Sequence, residues 1–347
     1  MEPTAFMPAS LVFRDRSTVH QLPWGGHFAR PRPEGFRDTP SAELQAMISA
    51  VEAGRPWREV VDEAFAARKP WLHEVITSPR RTAFFGSVLP AGSGLVLDLG
   101  AGWGQICRPL ARHRPVVALE PVAERLAFIR AAARQDGIGD QLTFVEADYL
   151  ELSFETKFEA ICAIGVLEWA GAFQVDADPQ QRQREFLRKT RAELAPGGAL
   201  ILGIENRIGL KYLLGCADDH IGAAGIACLP AALARARWNA STGHALRSFT
   251  YSQTELYAML ETAGYTSIEF FAALPDYKLP EVLLPFEADG AAVDSWLAAH
   301  AAPEEHNGYD GSTLPPELRE ALQAHYRTLA EEGVAHAFVP SFFVRAS

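Results

Sequence analysis

The chain has 347 residues, 48% hydrophobic and 22% charged, with a formal net charge of −11. That length suits one large domain with insertions or two small ones, and the acidic balance excludes a broad nucleic-acid surface, which needs a basic stripe. No apolar run approaches the roughly 18 residues of a membrane helix, and the first residues lack the basic start and apolar core of a signal peptide, so a cytoplasmic protein is expected.

Residues 1–40 are rich in Pro, Gly and Arg and read as irregular structure or a short hairpin. Helical spacing follows in SAELQAMISAVEAG, where Ser41 is a candidate cap and Leu44, Met47, Ile48 and Val51 share a face. It continues in PWREVVDEAFAARKPWLHEVI and through Arg80 to Val88. From Gly94 the pattern changes. LVLDLG, PVVALE, LTFVEADYL, FEAICAIGVLEW and ALILGIEN hold five short apolar strands, separated by helical segments such as PVAERLAFIRAAARQDG and QQRQREFLRKTRAELAPGG. That rhythm predicts an α/β fold with a doubly wound, mainly parallel sheet. After residue 205 it breaks until the helix TYSQTELYAMLETAGY and a sixth strand, SIEFFAAL. A second excursion at 275–335 carries the helix PPELREALQAHYRTLAEEG, and AHAFVPSFFVRAS supplies a last strand. The expected division is an N-terminal extension with cap helices over 1–90 and a sheet domain over 91–347, with insertions at about 206–250 and 275–335. The cysteines, Cys107, Cys162, Cys216 and Cys228, form no C-x-x-C pair and read as small buried thiols.

Asp98, Gly100, Gly102 and Gly104 give D-x-G-x-G-x-G after the first apolar strand and before a helix. Glycines there permit positive φ and close approach of a ligand, and the helix start offers free N–H groups. Glu120 ends the next strand, where an acid can accept from ribose hydroxyls, and Asp148 with Tyr149 ends the third. A dinucleotide motif would need a third glycine at 105, which is Gln105. S-adenosylmethionine fits better, with an amino-acid end for the turn, a ribose and an adenine, and no pyrophosphate.

On the strength of LVLDLGAGWG, VVALEP, VEADYL and IGVLEW, residues 90–205 resemble a class I S-adenosylmethionine-dependent methyltransferase. The resemblance implies a seven-stranded Rossmann-like sheet ending in a reversed hairpin made by SIEFFAAL and AFVPSFFV. It implies that Asp98, Gly100, Ala101, Gly102 and Gly104 line the methionine end of the donor. Glu120 and Pro121 would lie at the ribose, Asp148 and Tyr149 at the adenine, and Gly165, Val166 and Leu167 beside the methyl group. The product would be S-adenosylhomocysteine.

The acceptor must be read from the residues beyond the fifth strand, in LILGIENRIGLKYLLGCADDHIG. In open α/β sheets this carboxyl edge is where ligands bind, so Glu205, Asn206 and Arg207 are expected near the donor, with the following insertion as a lid. A sugar hydroxyl needs a base as the methyl bond forms. His220 is the first candidate because its ordinary pKa lies near working pH; Asp218 or Asp219 would orient it, Glu205 is second, and His244 third. Each also has a bland reading, with Asp218 and Asp219 as caps, His220 on a surface loop, and Glu205 paired with Arg207. Glu168, Asn206, Arg207, Lys211, Tyr212, His244, Tyr277 and Lys278 are candidates to hold the acceptor. Glu168, Glu205 and Asn206 could mimic an oxygen-ligand set for magnesium, but the spacing is not diagnostic and no metal is expected. Trp24 and His27 are a candidate flap, and Trp103 a candidate wall of the site.

IENRIGLKYLLGCADDHIG and ALPDYKLPEV further resemble a bacterial methyltransferase group tied to cell-surface polysaccharide synthesis. That implies O-methylation of a sugar or glycan precursor, a carbohydrate partner, and neither nucleic acid nor a membrane span. Two other readings stand beside it. One is methylation of a small secondary metabolite or carboxylic acid, with 226–238 lining an apolar pocket. The other is a non-catalytic scaffold that binds the donor.

Overall fold

The computed structural model describes residues 9–31, 35–174, 176–287, 289–307 and 312–347. The chain forms two compact units, one of residues 1–163 with 189–201, the other of 164–188 with 202–347. This division differs from the expected boundary at residue 90, since the N-terminal helices share a unit with the first sheet strands. Of the N-terminal expectation, residues 1–8 and 32–34 lie outside the described residues.

The first unit is built on parallel strands. Val96–Leu99 pairs with Phe158–Ile164 on one side and Val116–Leu119 on the other, and Val116–Leu119 pairs in turn with Leu142–Glu146. All four positions of Val96–Leu99 and of Val116–Leu119 are buried, as strands covered by helices on both faces must be. His27–Ala29 adds a short parallel strand beside Leu142–Glu146, so His27 lies in an edge strand rather than a flap. Leu11–Asp15 and Thr18–Leu22 form a hairpin that also pairs with Leu152–Phe154.

Helix Ser41–Glu52 buries Leu44, Met47 and Val51, the face its periodicity predicts, each contributing about 1.5–3 kcal/mol by burial. Its cap position is Pro40; Ser41 sits in the first turn and its hydroxyl donates to Glu124 at 2.5 Å. The next helical stretch breaks in two, Trp57–Phe65 and Pro70–Thr77, because Pro70 opens a new helix and has no N–H to continue the old one. Trp103 does not line a site. It packs edge-on against Phe65 and Phe128 in the core beneath these helices, with centroids 5.4 and 5.1 Å away.

In the second unit, Ile268–Leu274 pairs antiparallel with both Ser341–Ala346 and Val282–Pro285. The first pairing is the expected reversed hairpin. Val282–Pro285, like His27–Ala29 in the first unit, is an edge strand not anticipated from sequence. The stretch 206–250 contains helix Ala231–Thr242, and 275–335 contains helices Ala291–Ala299 and Pro316–Glu331. Helix Gln253–Thr262 starts with a capping box between Ser252 and Glu255. Cys107, Cys162 and Cys216 are buried, and Cys228 is partly so. Among the described residues no helix is long and apolar enough to cross a membrane.

Candidate active site

In the first unit the chain leaves strand Val96–Leu99 through a turn in which Gly100, Gly102 and Gly104 all have positive φ, at 63°, 55° and 80°. A side chain there would be strained, which accounts for the spacing of the three glycines. A Cβ on Gly104 would also come within 3.1 Å of Ile129 and Arg108. The turn is anchored by Ala101 N–H donating to the Leu119 carbonyl at 3.0 Å.

Glu120, at the end of the next strand, closes the same turn. Its carboxylate accepts from Gly102 N–H at 2.9 Å and from Val122 N–H, just past Pro121, at 3.0 Å. Burial raises the Glu120 carboxyl above its ordinary value, against Arg125 at 4.0 Å. Arg125 is held by Asp38 at 2.7 Å, and Asp38 also accepts from the Trp103 indole N–H at 3.1 Å. Burial works to raise the Asp38 carboxyl, but Arg125 and that indole hold it below its usual range. Asp38 and Arg125 therefore brace the turn, a role no local motif announces.

Asp98 is different. Both of its carboxylate oxygens are buried; the Cys107 N–H and thiol face them, but no hydrogen bond of good geometry reaches either oxygen among the described residues. Burial pushes this carboxyl up to about 7, against the pull of Cys107 and Arg81. A buried, unsatisfied acid is costly, so the position suits a donor or cation supplied by a ligand. Asp148 caps the short turn Tyr149–Glu151 through Leu150 N–H. Tyr149 is buried and engaged within the chain. Its hydroxyl donates to Glu193 at 2.7 Å and Lys189 lies 3.9 Å over its ring.

In the second unit a cluster of charged side chains is almost wholly buried. Glu168 is 0% exposed and Glu205 1%. His220 Nε2 lies 3.5 Å from Glu168 Oε1 and 3.5 Å from Glu205 Oε2, and its Nδ1 lies 3.4 Å from Asp218 Oδ1. Lys278 Nζ reaches Glu205 Oε1 at 2.5 Å and Asp219 Oδ2 at 3.2 Å, while Lys211 Nζ is 3.5 Å from Asp219 Oδ1. Lys278 thus grips acids of this chain rather than standing ready for an acceptor. Tyr277 donates to Glu168 Oε1 at 3.4 Å and lies against Gly165 and Gly203. A Cβ on Gly165, whose φ is 74°, would meet the Tyr277 hydroxyl at 2.8 Å. Val166 leads into the short turn Leu167–Trp169, which presents Glu168.

The electrostatics revise the expected base. Burial alone would lower the His220 pKa, but Glu205, Asp218 and Glu168 lift it well above its ordinary value, so the imidazole is held protonated at neutral pH. Surrounded by three carboxylates, the imidazole is a poorer proton acceptor than the sequence suggested. Burial raises the Glu205 carboxyl, although Lys278 and His220 oppose it. Glu205 Oε2 and Glu168 Oε2 are buried and have no hydrogen-bond partner among the described residues, which makes them the acceptors left in the cluster. Burial raises the Asp219 carboxyl, but Lys211 and Lys278 prevail and it stays ionised far below the usual range. Asp218 accepts from the His220 and Ile221 N–H groups at 2.7 and 3.0 Å, so it caps its turn as well as facing the ring.

Three residues proposed to hold an acceptor are structural. Asn206 is 0% exposed; its amide donates to the Ala337 and Val339 carbonyls at 2.9 and 2.8 Å. Arg207 pairs not with Glu205 but with Glu255, through two bonds of 2.6 and 2.9 Å. Tyr212 is buried with Lys211 Nζ 4.9 Å over its ring. His244 sits on an exposed loop, outside the cluster. Trp169, not singled out from sequence, stands edge-on to the His220 ring at 5.2 Å. Glu305 was missed as well: burial pushes its carboxyl up to about 7, Lys211 pulls it down, and Tyr326 donates to it at 2.8 Å.

Residues 96–198 match the family model of a methyltransferase domain, a stretch that includes Asp98, the three glycines, Glu120 and Asp148. Over 100 residues the chain is 31% identical to the 23S rRNA (uracil(1939)-C(5))-methyltransferase RlmD of Polynucleobacter necessarius subsp. necessarius, a match covering 28% of this chain and 19% of that protein. The chain thus spans about a fifth of the length of that curated relative. Among solved structures it is similar to the CcbJ methyltransferase of Streptomyces caelestis, at 21% identity over 58% of this chain and 83% of that one, with a TM-score of 0.43. It is also similar to an O-methyltransferase family 2 protein of Planctomyces limnophilus in complex with apigenin, at 16% identity over 72% and 66% of the two chains, with a TM-score of 0.39.

Proposed function

We propose that this chain is an S-adenosylmethionine-dependent O-methyltransferase acting on a hydroxyl of a sugar or cell-surface glycan precursor. The observation that carries the donor assignment is Asp98, a fully buried acid with only Cys107 facing it, beside a left-handed glycine turn in the stretch that matches a methyltransferase-domain model. Asp98 would hold the donor's ammonium, Gly100, Ala101, Gly102 and Gly104 would admit its amino-acid end, and Glu120 would accept from the ribose hydroxyls. When bound, S-adenosylmethionine supplies a methyl group on a sulfonium sulfur, which departs with the C–S bonding pair. In the second unit, Glu168 and Glu205 would orient the acceptor hydroxyl and take its proton as the O–C bond forms. His220 and Lys278 keep these carboxylates in place. Calorimetry with S-adenosylmethionine tests the donor site, and transfer of a labelled methyl group to saccharide precursors tests the acceptor. Absence of donor binding to the wild-type chain would overturn the reading.

One observation favours a second acceptor. A small cleft in the second unit is lined by apolar Ile226, Leu229, Leu246 and Phe249 together with polar Asp218, Arg207 and Glu255. It suits a small group that is part apolar and part polar, as on a small metabolite. Labelled transfer to an aromatic or aliphatic hydroxyl compound, with none to saccharides, would select this alternative.

A further inference from the structure

Glu168, Glu205 and His220 each offer one ligand atom, and the three atoms lie within 4.8 Å of one another. The imidazole nitrogen is 3.5 Å from each carboxylate oxygen, about the edge of a tetrahedron whose metal–ligand bonds are about 2.1 Å. We propose that these three residues bind a divalent transition-metal ion, zinc or manganese in chemistry, with Asp218 as the partner of the ligating imidazole.

Four observations support the site. Its residues come from three separate parts of the second unit, the turn Leu167–Trp169, the end of strand Leu194–Glu205 and the loop at 218–220, and all three side chains are buried. Glu168 Oε2 and Glu205 Oε2 lack hydrogen-bond partners among the described residues, so the carboxylates hold unused acceptor capacity. The outer contacts are those of an oriented ligand set. Asp218 Oδ1 faces His220 Nδ1, the nitrogen away from the shared point; Lys278 fixes the far oxygen of Glu205; and Tyr277 donates to Glu168. Finally, three carboxylates, Glu168, Glu205 and Asp218, converge on His220, a concentration of negative charge that draws a cation to this point. An imidazole with two carboxylates suits zinc or manganese better than the all-oxygen sets of magnesium and calcium. Three protein ligands leave a position open, as in catalytic rather than structural sites.

The role of the ion rests on the methyl-transfer reading, but its binding does not. A hydroxyl on the open position would lose its proton more readily, because the cation stabilises the alkoxide. The proton would pass to Glu168 Oε2, and the freed oxygen lone pair would form the O–C bond while the C–S pair returns to sulfur.

The full chain, stripped with chelator and dialysed, should bind one zinc or manganese ion in calorimetry and in the paramagnetic resonance of manganese. Crystals soaked in either metal should show anomalous scattering among the three side chains. His220→Ala and Glu168→Gln should weaken binding about a hundredfold, and Asp218→Asn about 10- to 100-fold, as outer-shell partners typically do. No binding at millimolar metal, or anomalous signal only elsewhere, would overturn the proposal; if the variants misfold, the wild-type scattering decides. Full methyl transfer by metal-free enzyme would reject the ion's catalytic role and leave the transferase reading intact. Metal binding without donor binding would overturn the transferase reading, and with it the ion's role, and leave the metal site standing.

Discussion

The glycine turn and the His220 cluster are both buried and both rich in carboxylates, yet they are built by opposite means. The turn takes its shape from backbone: three left-handed glycines, two N–H groups donated to Glu120, and a buried acid, Asp98, with no charged group paired to it among the described residues. The cluster takes its shape from charge: each acid is set by an ammonium or imidazolium brought from elsewhere in the chain. The first arrangement waits for a ligand's charge, whereas the second largely neutralises itself. Substitutions should therefore affect binding in the turn and chemistry in the cluster.

The largest expected effect tests the chemical half. Glu205→Gln should lower turnover by about a hundredfold or more, the usual scale of general-base loss, while leaving donor affinity unchanged. Steady-state rates of labelled transfer beside donor calorimetry check this, and normal turnover in that variant would remove Glu205 as the base. Next comes the binding half. Glu120→Ala deletes the acceptor of two turn N–H groups and should weaken donor binding about tenfold, in line with about 1.4 kcal/mol, as read by calorimetry. An unchanged dissociation constant would detach Glu120 from the donor.

A smaller effect separates structural from chemical roles near the cluster. Arg207→Ala should lower the melting temperature through loss of its partly exposed pair with Glu255, at about 1 kcal/mol, without altering the pH profile of turnover. The smallest concerns pH. The folded-state pKa of Asp98 is raised to about 7, so its contribution to stability is full below its unfolded value and is lost as pH rises through about 7. Melts of donor-free protein between pH 4.5 and 7.5 should fall less steeply for Asp98→Asn than for wild type. Donor affinity of wild type should rise over the same range as the acid ionises, and equal pH slopes for the two proteins would exclude Asp98 as the titrating group.

The same contrast explains what was legible beforehand. The turn lies within seven residues, and its strand, glycine and acid signals all follow local rules, so Asp98, the glycines and Glu120 could be found from spacing. The cluster draws on residues 168, 205, 218–220 and 278, and no spacing rule gives the distance between them. Glu205 and His220 were visible as polar residues after an apolar strand, but not that three carboxylates would keep the imidazole charged. Asn206 and Arg207 looked like the same polar run, yet one satisfies buried carbonyls and the other pairs with the first turn of a helix some 50 positions on. The two edge strands escaped because His27–Ala29 and Val282–Pro285 are three and four residues long, too short to show alternation. Asp38 and Glu305 had no motif around them.

The contact between Asp38 and Arg125 sets a limit on how the protein can be trimmed. A recombinant fragment started at residue 91 would keep every signature glycine but strip Arg125 of its counter-ion and lay bare the apolar floor on which Trp103 rests. Such a fragment should precipitate, because the leading ninety residues furnish part of the scaffold that holds the loop in shape.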